Sequence, residues 1–120
     1  MKRDTVLVVD DDPYFRALYR TALQFRGLHV STASDGLAAL QSIQNDPPAI
    51  VILDLNMPCV DGWAVLQELA NHEETKAIPV IVVTAADVKR AVGQAVAIVR
   101  KPVLPDDVMP LIERHLRRAS

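Results

Sequence analysis

Four short apolar runs in this chain each lead directly to residues that could do chemistry. Val6–Val9 leads into Asp10 and Asp11, Ile50–Leu53 into Asp54, Val80–Val83 into Thr84, and Ala97–Val99 into Arg100 and Lys101. Carboxylates, a hydroxyl and an ammonium group brought together could hold a hard cation and a phosphoryl group. The types and positions of these residues predict one composite site.

The three aspartates predict a magnesium site. Two carboxylates about 4 Å apart repel by about 4 kcal/mol at an effective dielectric of 20, so a site that collects Asp10, Asp11 and Asp54 needs a compensating charge. Oxygen ligands at few positions suit Mg²⁺ better than caged Ca²⁺ or a softer metal. We expect the backbone carbonyl of Asn56, two residues beyond Asp54, to join the metal ligands.

Asp54 is the candidate nucleophile. Beside Mg²⁺, its carboxylate can attack phosphorus in line and hold the phosphoryl group as an acyl phosphate. Lys101 would place a positive charge near a phosphoryl oxygen, and Thr84 would donate its hydroxyl. The Lys101–Pro102 bond is a candidate cis peptide that would aim the lysine across the site.

The apolar runs are the elements that must position these residues. Short β-branched runs without polar alternation predict strands buried on both faces of a parallel sheet, whose ligands bind at the carboxyl ends of the strands. The alternating His29–Ala33 run predicts an edge strand. Five strand-then-helix units predict an α/β fold with a (βα)₅ doubly wound sheet.

The helices are predicted from capping residues and apolar spacing. Asp12 and Pro13 predict the start of the first helix and Gly27 its end, with Leu18, Ala22 and Phe25 facing the sheet and Arg16 facing water. Only residues 85–97 remain for the crossover between the last two strands, so we expect a short fourth helix there.

Composition predicts a single domain over residues 1–120. The chain has 13 Lys and Arg against 15 Asp and Glu, a net charge of −2, so we expect no direct nucleic-acid binding. Cys59 is the one cysteine, which excludes an internal disulfide and fits a reducing compartment. The first apolar run of the chain is too short for a signal peptide or a membrane span, so we expect a cytoplasmic protein without membrane contact.

Four motifs together resemble the receiver domain of two-component response regulators, the CheY-like family. They are VLVVDDD, VILDLNMPCVDG, VVTA and RKP, in family order over essentially the whole chain. The resemblance implies a flavodoxin-like sheet of order 2-1-3-4-5. It implies that Asp54 accepts a phosphoryl group from a histidine kinase or phosphotransfer protein, with Asp10 and Asp11 binding Mg²⁺ and Thr84 and Lys101 completing the site.

The expected product is a phosphoprotein rather than an enzyme with an external substrate. A receiver catalyses only its own phosphorylation and slow dephosphorylation, and then changes its interactions with a downstream protein. We expect a monomer or a weak, phosphorylation-dependent dimer.

Two departures from the family pattern concern the switch. Ile98 stands three residues before the lysine, where the family usually has an aromatic residue, and the interval from Thr84 to Lys101 is several residues short. They motivate an alternative, a degenerate receiver that acts as an interaction scaffold independently of phosphorylation. An aspartate-nucleophile phosphatase is disfavoured because Asn56 stands where such an enzyme would have its second carboxylate. Flavin binding is disfavoured because the acidic edge would repel the flavin phosphate in the absence of a metal.

A kinase-docking patch at the first helix is a further hypothesis. It would comprise Tyr14, Phe15 and Tyr19, although at least one of these aromatic residues is expected to belong to the core.

Overall fold

The computed structural model describes residues 5–85, residue 88 and residues 94–119, with side chains described as far as residue 116. Its elements follow in the order β1 Thr5–Val9, α1 Pro13–Phe25, β2 His29–Ala33, α2 Gly36–Asn45, β3 Ile50–Leu53, α3 Gly62–Ala70, β4 Val80–Thr84, β5 Ala95–Arg100 and α4 Pro105–Ala119. The predicted short fourth helix falls on residues 85–97. Residues 95–97 begin β5 instead, and most of the remainder lies outside the described residues.

The five strands form one parallel sheet in the order β2-β1-β3-β4-β5, as predicted. The central strands are buried on both faces, because helices cover each side of the sheet. Leu7, Val51 and Val82 belong to the core cluster beneath α2 and α3. Val8, Ile52 and Ile81 belong to the cluster beneath α1 and α4. Burial on both sides explains why these strands lack polar alternation.

Aspartates cap the first three helices. Asp12 accepts a hydrogen bond from the Tyr14 amide at the start of α1, and Asp35 and Asp61 cap α2 and α3 in the same manner. Gly27 follows α1 with a φ of 85°, the left-handed conformation that glycine adopts most easily. These caps fix where each helix begins relative to the strand before it.

The predicted buried face of α1 was wrong. Phe25 is 89 % exposed and Leu18 is 40 % exposed, whereas Tyr19 and Leu23 are fully buried against the sheet. The helix is rotated so that Tyr19 lies inward and Phe15 packs beside it. Burial of Tyr19 confirms that at least one of the three aromatic residues of α1 belongs to the core, and its hydroxyl donates to the Val103 carbonyl at 2.9 Å.

β5 is an edge strand of the sheet and is largely exposed. It pairs with β4 across an irregularity between Val80 and Ile81, and its residues alternate between half-buried and exposed. The prediction that the run Ala97–Val99 is buried on both faces was wrong, because β5 lies at the edge of the sheet. Ile98 is 47 % exposed.

Among the described residues, no helix combines the length and apolarity required to cross a bilayer.

Candidate functional site

Asp10 and Asp54 become neighbours because their strands are paired. β1 and β3 lie side by side in parallel, and each aspartate is the first residue after its strand. The Asp54 amide donates to the Val9 carbonyl at 3.0 Å, and the Asp10 amide donates to the Ala33 carbonyl at 3.1 Å. The ladder hydrogen bonds therefore continue one residue past the strands and fix both acidic residues at the same edge.

Every polar atom of Asp10 that could accept a hydrogen bond does so. Its Oδ1 accepts from the Asp12 amide at 2.9 Å, and its Oδ2 accepts from the Lys101 Nζ at 2.6 Å. Its carbonyl accepts from an Arg16 guanidinium nitrogen at 2.7 Å. Only 1 % of Asp10 is exposed, so these contacts replace the water that a carboxylate would otherwise require.

Asp54 is held less tightly. Its Oδ1 accepts from the Asn56 amide at 3.2 Å, and its Oδ2 lies 3.5 Å from Lys101 Nζ. The residue is 6 % exposed. Asp54 is thus the buried carboxylate whose oxygens have the longer, weaker contacts, which leaves them available to a reacting group.

A glycine backs the Asp54 backbone. The Gly62 amide donates to the Leu55 carbonyl at 3.0 Å, at the point where α3 begins. A Cβ on Gly62 would lie 2.6 Å from the Leu55 Cα and inside contact distance of the Asp54 carbonyl oxygen. The loop can close behind Asp54 because this position has no side chain.

The three aspartates fit a divalent cation. One carboxylate oxygen from each of Asp10, Asp11 and Asp54 lies within 4.8 Å of the others, with Asp11 exposed on the solvent side. Carboxylate oxygens are the hard donors that Mg²⁺ prefers. The predicted ligand set therefore has suitable geometry in its carboxylates.

Lys101 lies on the same rim, as predicted. Its amide donates to the Thr84 carbonyl at 2.9 Å, so the end of β5 is tied to the end of β4 beside the acidic cluster. The Lys101–Pro102 peptide bond is cis, again as predicted. Thr84 is fully buried at the end of β4. All four strand ends named from the sequence thus meet at one edge.

Burial and the ion pair shift the pKa values of Asp10 and Lys101. Burial raises the pKa of Asp10 above its usual value, although the Lys101 hydrogen bond and the Asp12 amide oppose the rise. Burial by itself lowers the pKa of Lys101, but the hydrogen bond and charge of Asp10, with Asp54 contributing less, raise it overall. Lys101 is thus charged at neutral pH, and the buried Asp10 is the acid that most needs a cation.

Two contacts at the site were not anticipated. Arg16 was predicted to face water but contacts the Asp10 carbonyl. Phe15 was considered only for docking, yet Lys101 Nζ lies 4.4 Å from the centre of its ring. No local signal could have revealed the second contact, since the two residues are far apart in sequence.

The remaining candidates divide between structure and surface. Asn56 approaches the site through its amide, and the metal role of its carbonyl stays a prediction. Cys59 is exposed in the following loop, with a φ of 64°. Trp63 is partly buried and packs against the core. Of the aromatic residues suggested for docking, Tyr14 is 78 % exposed and Tyr19 belongs to the core.

Comparison with known proteins gives one consistent match. The family model described as the response regulator receiver domain matches residues 6–113. The response regulator MprA of Mycobacterium sp. (strain KMS) is 35 % identical over 123 residues, which cover 96 % of this chain and 51 % of that protein. The probable transcriptional regulator ycf27 of Guillardia theta is 37 % identical over 123 residues, covering 98 % of this chain and 47 % of that protein.

Solved structures agree with these matches. The chemotaxis response regulator CheY4 of Vibrio cholerae superimposes with a TM-score of 0.84 and 29 % identity, covering 92 % of this chain and 97 % of that one. The chain spans about half the length of the curated relatives that it matches.

Proposed function

The chain belongs to the response regulator receiver family of two-component signalling, and from this membership we propose that Asp54 accepts a phosphoryl group in a Mg²⁺-dependent reaction. One observation carries the proposal. The Asp54 carboxylate belongs to a three-carboxylate cluster able to bind a divalent cation, and an ammonium nitrogen lies 3.5 Å from its Oδ2.

The chain's own residues account for the transfer. A carboxylate oxygen of Asp54 forms a bond to phosphorus as the bond from phosphorus to a donor imidazole breaks, and the imidazole keeps the electron pair. Lys101 then donates to a phosphoryl oxygen, and Thr84 supplies a hydroxyl from β4. Asp10, Asp11 and Asp54 would hold Mg²⁺, with the Asn56 carbonyl as a further ligand. The bound cation would neutralise charge that develops on the transferred group.

The proposed partners follow from this chemistry. The phosphoryl donor is a histidine kinase or phosphotransfer protein, in the cytoplasm, and the output is a changed affinity for another protein. The domain modifies only itself and has no external substrate. Two of the matched relatives are regulators about twice as long as this chain. Direct contact of this chain with DNA is not part of the proposal.

Phosphorylation of the purified chain by a small phosphodonor tests the proposal. With Mg²⁺ we expect intact-mass spectrometry to detect one added phosphoryl group that is stable in acid and labile in base. Asp54→Asn should prevent the addition, and a chelator should suppress it. Asp46→Asn is the matched control because Asp46 is an exposed aspartate that follows α2. A folded wild type that stays unmodified, or full modification of Asp54→Asn, would overturn the proposal.

The exposure of Ile98 supports a second candidate function, a scaffold that binds its partner whether or not Asp54 is modified. Ile98 stands on β5 with 47 % of its surface exposed and has no aromatic ring to rotate inward. Affinity for the downstream partner distinguishes the two functions. Equal affinities of modified wild type and Asp54→Asn favour the scaffold, and a difference favours the switch.

A further inference from the structure

Lys101 has a third contact that is unlike its two ion pairs. Its Nζ donates to Asp10 at 2.6 Å, lies 3.5 Å from Asp54, and stands 4.4 Å from the centre of the Phe15 ring. A cation within about 6 Å of an aromatic centre is attracted by the negative face of the ring. The lysine side chain is 20 % exposed, so water screens this attraction only in part.

A metal ion at the acidic cluster would compete with Lys101 for Asp10. Both Asp10 oxygens already accept hydrogen bonds, one from the Asp12 amide and one from Lys101. A divalent cation bound there must share or take an oxygen, and it repels the ammonium as well. The Phe15 ring has no atom that would ligate a hard cation, so the metal does not compete with Lys101 for this contact.

The Phe15 ring is itself fixed from behind. It stacks on Tyr19 with ring centres 4.1 Å apart and an interplanar angle of 18°. Tyr19 is fully buried, and its hydroxyl donates to the Val103 carbonyl at 2.9 Å. Val103 is two residues beyond Lys101, so α1 contacts both the lysine side chain and the backbone of the segment that follows it.

We propose that Phe15 is a positioning residue that keeps the Lys101 ammonium beside Asp54 when a metal ion occupies the acidic cluster. This rests on the proposed function, because it assigns Phe15 a part in phosphorylation of Asp54. A leucine at position 15 would still pack on Tyr19 but would offer no negative ring face to the lysine.

Progressive fluorination of the Phe15 ring is the decisive experiment, since fluorine withdraws electron density with little change in shape. We expect the rate of phosphorylation by a small phosphodonor at saturating Mg²⁺ to fall stepwise with one, two and three fluorines. The total decrease should be about two- to fivefold. In a Lys101→Met background the same series should have no effect. A flat series in the wild-type background, or an equal decrease without the lysine, would overturn the proposal.

NMR gives a readout that does not require phosphorylation. The ring current of Phe15 should shift the Lys101 ε-methylene protons upfield both without Mg²⁺ and at saturation, and Phe15→Leu should abolish the shift. Phe25→Leu is the control because Phe25 lies on the same helix and is 89 % exposed. Loss of the shift in wild type on adding Mg²⁺ would refute the positioning role. A retained shift with no phosphorylation would instead refute the proposed function.

Discussion

β1 and β5 supply the two opposite charges of the site, but they hold them by different means. Asp10 follows a central strand whose residues Val6–Val9 are fully buried between β2 and β3. Lys101 follows β5, which pairs with β4 and leaves Val96 and Ile98 nearly half exposed. The Asp10 backbone is thus placed in the interior of the sheet. The Lys101 backbone is tied to β4 at the edge of the sheet, and its ammonium depends on contacts with Phe15 and the acidic cluster.

The difference means that the acidic backbones are fixed in position, whereas the lysine ammonium can change its contacts. A group fixed by a buried ladder cannot move without disrupting the core, so the backbones of Asp10 and Asp54 are rigidly placed. A group held by side-chain contacts can exchange one partner for another at small cost. Chemistry that requires a fixed nucleophile and an adjustable cation is well served by this asymmetry.

Gly62→Ala tests whether the backbone at Asp54 is rigidly confined. The new methyl group would collide with backbone atoms of Asp54 and Leu55, which cannot give way as a flexible side chain could. We expect a loss of about 3 kcal/mol in the free energy of unfolding, and slower phosphorylation in any fraction that folds. Gly27→Ala is the control, because a Cβ there meets nothing within 4 Å and only its φ of 85° is strained. Its cost should be about 1 kcal/mol. Equal costs in denaturant unfolding would mean that the Asp54 backbone is not confined.

Matched valine substitutions test the contrast between the strands directly. Val8 in β1 is fully buried, and Val96 in β5 is 43 % exposed. Val8→Ala should lower the free energy of unfolding by about 2 kcal/mol, since it removes buried methyl groups and leaves a cavity. Val96→Ala should cost about 0.5 kcal/mol, the usual range for a surface position. Similar midpoints for the two variants in urea unfolding would contradict the comparison.

Lys101→Met tests whether the lysine ammonium competes with a metal ion for Asp10. The ammonium occupies Asp10 Oδ2 and repels a metal ion, so its removal should tighten Mg²⁺ binding by about tenfold, or about 1.4 kcal/mol. Titration of Mg²⁺ into the two proteins, followed by calorimetry, measures the ratio. Weaker binding by Lys101→Met would show that the lysine organises the acidic cluster more than it competes with the metal. Lys76→Met is the control, as Lys76 pairs with Glu73 in an exposed turn.

Tyr19→Phe tests how α1 secures the segment after Lys101, with the smallest effect expected of the test variants apart from their controls. Loss of the hydrogen bond to Val103 should cost about 1 kcal/mol at neutral pH. Burial, with the charges of Asp107 and Asp10, raises the pKa of Tyr19 above its usual 10.0. The unfolded chain ionises this phenol near pH 10 while the folded protein does not, so stability falls as the pH rises above 10.

The slope of that fall is itself measurable. Tyr19 contributes a loss of about 1.4 kcal/mol per pH unit above 10, until the phenol ionises in the folded state as well. The difference in unfolding free energy between wild type and Tyr19→Phe, measured from pH 9 upward, should therefore shrink with pH. Tyr14→Phe provides the control, because Tyr14 is exposed at the start of α1. A pH-independent difference would show that the Tyr19 hydroxyl is accessible to water.

The sheet and its chemical edge were predictable because their signals are local. A run such as Val80–Val83 is typical of a strand buried on both faces, and Asp10, Asp54 and Thr84 each directly follow such a run. Lys101 follows the apolar run Ala97–Val99 by one residue, although that strand is half exposed. Parallel pairing then brings the strand ends together without further information. The caps at Asp12 and Asp35 are equally local.

The errors and omissions share a physical origin in contacts between distant segments. Apolar side chains occur on more than one side of α1, so spacing alone could not decide between Phe25 and Tyr19 as the buried residue. The contact between Phe15 and Lys101 depends on how far α1 is rotated against the sheet. The irregular pairing at Val80 and Ile81 likewise arises only when β5 meets β4.

The conformation at Cys59 has a practical consequence for observing this protein at work. Cys59 is the chain's one cysteine and is exposed in the loop five residues beyond Asp54. The Val60 carbonyl in the same loop accepts a hydrogen bond from the Gly36 amide at 3.1 Å, which fastens the loop to α2. A thiol-reactive fluorophore attached at this position would therefore act as a single-site reporter, located between Asp54 and α2.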